Sequence, residues 1–374
     1  GTLDGRAGYN TLDYTAYIIP RNIILSGLGN LNGFAGIEAG RGGSEASLPG
    51  GFTNIQHFIG SSKANDSLTG KDEASTWNLD GSIVTYTNST FNNIQLSCTG
   101  IEILIGSSYG DTFNLSGTVP YSIVGGSGND SFKFSDKAVV RGTIDGGAGN
   151  NTLDYSAYGS AVTFNLETSA ATGLSKFTNI RNLTGSANSD TLIGPDAGAE
   201  FKITGQNTGN VNETSYFSQI ENLTGGKGDD TFAFTENGRL QGNINGGQGT
   251  NWLDYSNVNQ GSIPEEDRGI TVNLLEGLIQ GLTGTLTAVN NIIGTIYNDT
   301  LIGNPADNIL CGLAGNDTIK GIGGNNTISG GAGDDHLYGG SGTDTFLFAS
   351  GWGKDTLYDY VNPQGLVDGK GSYT

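Results

Sequence analysis

Residues 294–347 read GTIYNDTLI, GNPADNILC, GLAGNDTIK, GIGGNNTIS, GGAGDDHLY and GGSGTDTFL, six units of nine with no residue left over. Glycine opens every unit, at 294, 303, 312, 321, 330 and 339. The sixth position reads Asp299, Asn308, Asp317, Asn326, Asp335 and Asp344. The eighth is always apolar: Leu301, Leu310, Ile319, Ile328, Leu337 and Phe346. Internal repetition of this kind sets the architecture before any local propensity is considered.

A longer and looser repeat fills the preceding residues. GGSGNDSFKF (125–134) precedes GGAGNNTLDYSAY (146–158), and GGKGDDTFAF (225–234) precedes GGQGTNWLDYSNV (246–258), with GRAGYNTLDYTAY at 5–17 as the earliest copy. We divide the chain into long repeats over 1–142 and 143–241, a partial repeat over 242–293, the nonapeptide array over 294–348 and a closing or docking segment over 349–374. Segments such as TLDY, DTFAF and TVNL, bounded by Gly, Asn and Asp, have the composition of short strands. Glycine at the first, second and fourth motif positions opposes helix and permits the positive φ of tight turns. Strands this short make no core locally, but coil stacked on coil they do. The predicted fold is all-β: a parallel solenoid, irregular over the first two thirds and a regular roll near the C-terminus. Leu153, Phe164, Leu166, Phe232, Phe234, Leu253, Leu301, Ile319, Leu337 and Phe346 are its expected core.

The nonapeptide carries chemistry as well as shape. Its first six residues make a turn with carbonyls directed inward and a carboxylate at its end, and its last three make a strand. Two units close a coil, so turns on one edge recur every 18 residues and stack about 4.8 Å apart. A cation between stacked turns meets six or more hard oxygens at about 2.3–2.6 Å, a calcium environment. Magnesium asks for a tighter octahedron with retained waters, and zinc or copper for His or Cys. The chain has only His57 and His336, and two distant cysteines, Cys98 and Cys311.

Segment 294–348 resembles the RTX (repeats-in-toxin) nonapeptide family, whose members form calcium-loaded parallel β-rolls. GLAGND, GIGGNN, GGAGDD and GGSGTD match closely, whereas GTIYND and GNPADN lack glycine at position four. The resemblance implies several Ca²⁺ ions, held by Asp299, Asp317 and Asp335 on one edge and by Asn308, Asn326 and Asp344 on the other. The Asn edge, having lost charge but kept an oxygen, is expected to bind more weakly or to be partly empty. Gly312, Gly315, Gly330, Gly333, Gly339 and Gly342 shape the turns and supply backbone oxygens. Asp130 and Asp230 occupy the ligand position of good turns in the long repeats, and Asp66, Asp111 and Asp190 that of poorer ones. The long repeats are similar to divergent solenoid regions of large bacterial surface proteins.

Composition bounds the alternatives. Of 374 residues 64 are glycine, and the net charge is −20, which opposes nucleic-acid and anionic-membrane partners and favours cations. No apolar run reaches the ~18–20 residues of a membrane helix. The chain opens at Gly1 inside a repeat with no signal peptide, and reads as a piece of a longer product. No H-E-x-x-H is present, and the formal G-x-S-x-G at 106–110 aligns with the repeat turns. We assign no catalytic residue. The expected protein is extracellular, on the type I secretion route implied by the resemblance. It is an adhesin stalk, a sheath or an end-to-end filament, with surface glycans as further partners. The alternatives are the secretion and folding module of an enzyme or toxin, and a carbohydrate-acting solenoid.

Overall fold

A computed structural model describes residues 1–31, 33–40, 47–88, 94–259, 268–359 and 369–372. There are no helices among them. The chain forms two compact units, Gly1–Asn188 and Ser189–Thr374. The boundary falls inside the second long repeat.

In the first unit, strands pair in parallel from coil to coil along two main ladders. One runs Ser67–Thr69, Ile103–Ile105, Ser122–Val124, Ile144–Asp145 and Phe177–Thr178. The other runs Ser75–Asp80, Thr112–Ser116, Ser131–Phe134, Thr152–Asp154 and Asn182–Thr184. Side chains alternate across each strand, so every second residue enters the interior and its register partner lies directly above it. Leu68, Leu104, Ile123 and Ile144 form one inward column, and Trp77, Phe113, Phe132 and Leu153 the other; all eight are fully buried. The rings of the second column stack face to face: Trp77 on Phe113 at 5.9 Å and Phe113 on Phe132 at 5.2 Å.

The second unit repeats this scheme and then becomes regular. Glu200–Gly205, Thr231–Phe234, Trp252–Asp254, Asn291–Ile293, Ile309–Ala314, Thr327–Ala332 and Thr345–Phe346 form one parallel ladder. Thr271–Asn273, Thr300–Ile302, Thr318–Lys320, His336–Tyr338 and Thr356–Asp359 form another. Over the nonapeptides the register advances by 18 residues, Thr300 to Thr318 and Ile309 to Thr327. The segment after the array begins as one more coil, because Thr356–Asp359 adds to the ladder and Gly369–Ser372 lies antiparallel on it. Residues 360–368 of that segment lie outside the described residues.

Irregular coils differ from regular ones by insertion. Glu200–Gly205, Thr208–Val211 and Ser215–Ser218 make an antiparallel meander, as do Ser75–Asp80, Ile83–Asn88 and Ile94–Thr99. These antiparallel excursions are additions to the expected parallel solenoid. Eight of the ten expected core residues are buried. Leu166 and Phe346 are only partly covered. Leu166 sits where the chain turns out of Thr163–Asn165. Phe346 lies on a strand that pairs on one side only, with Thr327–Ala332.

Phe113→Ala empties the middle of a ring column, and it is expected to cost about 3–5 kcal/mol of unfolding free energy. Urea titration in calcium checks this, and a loss no larger than that at an exposed site would show that the column is not the core.

Candidate metal centre

The turns place their groups by steric exclusion. A Cβ on Gly312 would collide with Oδ2 of Asp317 and stand 2.5 Å from the carbonyl oxygen of Gly330 on the next coil. At Gly125 it would collide with Oδ2 of Asp130 and stand 2.6 Å from the Gly146 oxygen. The first glycine of each turn therefore keeps open a space in which a carboxylate and a carbonyl from the next coil meet. The fourth glycine is left-handed, with φ of 110° at Gly315, 137° at Gly333 and 100° at Gly128, where a side chain is strained.

The sixth-position side chain reaches back by one coil. Oδ1 of Asp317 accepts the Asp299 N–H at 2.8 Å, Asp335 that of Asp317 at 2.8 Å, and Asp355 that of Asp335 at 3.0 Å. On the other edge Asn326 accepts from Asn308 at 3.0 Å and Asp344 from Asn326 at 2.9 Å. The same bond joins Asp111 to Asp130 and Asp130 to Asn151 in the first unit, and Asp230 to Asn251 in the second. The fifth position reaches the opposite way. Oδ1 of Asn298 accepts from Asn316 at 2.7 Å, Asn316 from Asp334 at 2.8 Å, and Asp334 from Lys354 at 2.8 Å. The recurring Asn or Asp at position five, as in ND, DN, NN and DD, marks this second ladder in the sequence, and the motif reading passed over it. Asp355 was also missed, because it lies 20 residues beyond Asp335, outside the frame of nine.

The second carboxylate oxygen separates the sites. Oδ2 of Asp130, Asp317 and Asp335 is buried with no hydrogen-bond partner, and these residues are 1%, 0% and 1% exposed. Burial raises all three carboxyls, to about 6 for Asp130 and Asp335 and about 8 for Asp317. Neighbouring Asp299 and Asp335 add repulsion at Asp317, partly offset by the Asp299 N–H. By contrast Oδ2 of Asp111 accepts the Ser107 N–H at 2.6 Å and its hydroxyl at 2.9 Å. Oδ2 of Asp66 accepts the corresponding pair from Ser61, that of Asp299 the Thr295 N–H at 2.6 Å, and that of Asp230 the Gly226 N–H at 2.9 Å. Asp344 is half-buried, and its Oδ1 accepts both the N–H and the Nδ2 of Asn326. Asp190 is fully buried, and its own N–H goes to Glu221.

Asn326, expected among the ligands, differs from its Asp counterparts. Its Oδ1 is taken by Asn308, and its Nδ2 donates to the carbonyls of Gly323 and Gly339 at 3.2 Å.

A buried, unpartnered carboxylate oxygen beside a backbone carbonyl is an incomplete hydrogen-bonding site but a good cation ligand. Among the described residues no three His, Cys, Asp or Glu side chains converge. Most donors must then be backbone oxygens, the coordination that calcium accepts and zinc does not. The residues fit Ca²⁺. Bound there, the ion supplies the positive charge that the turns lack.

The profile of the RTX calcium-binding nonapeptide repeat matches residues 143–157, 287–319 and 320–357, four copies in all. The chain carries RTX repeats. Repeats of this class are typical of secreted, calcium-binding proteins. No curated protein matches the chain. The first RTX match spans the turn of Asn151, inside the long repeats, so the RTX turn chemistry reaches back beyond the nonapeptide array. Other polar groups are engaged locally. Ser108, the central serine of the G-x-S-x-G, bonds Asp72; His57 lies between the hydroxyls of Thr11 and Thr99; His336 meets the Tyr358 hydroxyl. Cys98 and Cys311 are free thiols whose pKa burial raises.

Linkage sets the pH dependence. These carboxyls hold protons more tightly folded than unfolded, so their contribution to stability without metal is complete below about pH 3.9 and is lost through their folded pKa values. In excess chelator the urea midpoint should fall as pH rises from about 4.5 to about 8, and calcium should flatten that fall. A midpoint that rises with pH in chelator would contradict the assignment.

Proposed function

We propose that the chain is a calcium-stabilised structural element of a bacterial cell surface or extracellular matrix: a stalk, a sheath or a filament that associates with copies of itself. The observation that carries this reading is the direction of the acidic side chains. Oδ1 of those at positions five and six is spent on the neighbouring coil, and among the described residues no three His, Cys, Asp or Glu side chains converge. Chemistry of this kind builds length and rigidity instead of turnover. The exterior supports a role in association. Tyr9, Ile18 and Leu31 of the first unit are exposed, as are Leu275, Leu278 and Ile296 of the second. Single exposed apolar residues are ordinary, but an acidic surface that carries several offers attachment points once calcium lowers its repulsion.

A second reading has its own support. The RTX matches 287–319 and 320–357 are contiguous, as befits a calcium-dependent folding module attached to an activity elsewhere.

Circular dichroism and negative-stain microscopy, with calcium and with excess chelator, test the proposal. Calcium is expected to give the β-spectrum and elongated assemblies, and chelator to remove both. Discrete monomers at high concentration in calcium would overturn the self-associating form. A full β-spectrum in chelator would overturn the dependence on calcium.

A further inference from the structure

Three kinds of rung occur among the stacked turns, and the backbone at the second position of each turn sorts them. Where Oδ2 of the sixth-position Asp is unpartnered, the second position is left-handed: Gly126 at φ 110° for Asp130, Leu313 at 83° for Asp317 and Gly331 at 108° for Asp335. Where Oδ2 is satisfied, the second residue is Ser61, Ser107, Gly226 or Thr295, none of them left-handed, and its own N–H makes the bond. Asn308 has this same closed turn, with the Asn304 N–H on its Oδ1. In the third kind, a left-handed second position is combined with Asn at the sixth: Gly147 with Asn151, Gly247 with Asn251 and Ile322 with Asn326. The Asn amide then does what no carboxylate can. Nδ2 of Asn151 donates to the carbonyls of Gly147 and Asn179, that of Asn251 to Gln248 and Ala288, and that of Asn326 to Gly323 and Gly339.

We infer that the backbone conformation at the second position and the residue at the sixth together set which coil steps take a calcium ion, and that, among the described residues, the ion is required at Asp130, Asp317 and Asp335. At closed turns the peptide N–H replaces it, and at left-handed Asn turns the amide NH₂ replaces it, donating to carbonyls that would otherwise face a cation. The bulky Leu313 and Ile322 are strained at positive φ, which such residues rarely adopt. Their conformation is one that the turn imposes. Asp344 follows left-handed Gly340 at φ 100°, but it is half-buried and no turn stacks beyond it among the described residues, so it ranks below the other three. The result is a mosaic of ion-dependent and ion-independent steps, with Asn151 and Asn251 closing their own steps of the long repeats without metal.

This inference rests on the calcium reading, and the experiment separates the two. The full chain is stripped with chelator, re-equilibrated with calcium chloride and dialysed, and its bound calcium is counted by elemental analysis and by titration calorimetry. Asp317→Asn should remain folded and bind one ion fewer. Asn326→Asp should bind one ion more, and it should lose resistance to chelator in hydrogen exchange at Gly323 and Gly339. Unchanged counts in both Asp317→Asn and Asn326→Asp, with calcium bound to the parent chain, would overturn the code alone. A parent chain that binds no calcium would overturn the underlying reading.

Discussion

Everything in this molecule depends on one electrostatic arrangement: an aspartate buried between two stacked turns, with one oxygen satisfied by a peptide N–H from the neighbouring coil and the other facing carbonyl oxygens. The first contact fixes register, because a slip of one residue would leave both the carboxylate and the N–H unpaired in the interior. The second contact is unfavourable as it stands, since negative charge and carbonyl dipoles point at the same small space. Asp317, with its raised pKa and Asp299 and Asp335 nearby, shows the cost most directly. Positive charge, or a hydrogen-bond donor in its place, turns that liability into an attachment between coils.

The apolar columns and the polar turns impose the same repeat by different means. Inward residues such as Ile319 and Leu337 need only to be apolar and in line, and Phe, Trp, Leu and Ile all serve. The turns are far less tolerant, because a Cβ at Gly312 or Gly125 has nowhere to go. Freedom sits between them. The distance along the chain between stacked turns is 18 residues at Asp299 and Asp317, 21 at Asp130 and Asn151, and 36 at Ser75 and Asp111. Between Ser75 and Asp111 the extra residues form the antiparallel strands Ile83–Asn88 and Ile94–Thr99.

The regular roll was legible in the sequence because both its signals are periodic: glycine at the first position and an apolar residue at the eighth. The two edges were legible too, since a repeat of nine alternates them. What stayed hidden has local physical causes. Whether Asp130 or Asp230 keeps a free oxygen depends on the orientation of one peptide at Gly126 or Gly226, and glycine permits both orientations. The bonds of the Asn326 amide were hidden because side-chain chemistry alone shows the lost charge but not that the amide hydrogens find two carbonyls. The fifth-position ladder was overlooked because Asn and Asp are also ordinary turn residues, and only the stacked geometry distinguishes a turn from a clasp.

Two adjacent residues of each turn reach in opposite directions, the fifth accepting from the coil after it and the sixth from the coil before it. An interior coil is therefore gripped from above and below, while a terminal one is gripped from a single side. Wear, whether thermal or mechanical, should begin at the ends and travel inward one rung at a time. The same asymmetry makes whole coils the natural currency of change: a duplicated coil brings its own donors and acceptors and leaves the count balanced, whereas a fractional insertion inside a turn would strand both.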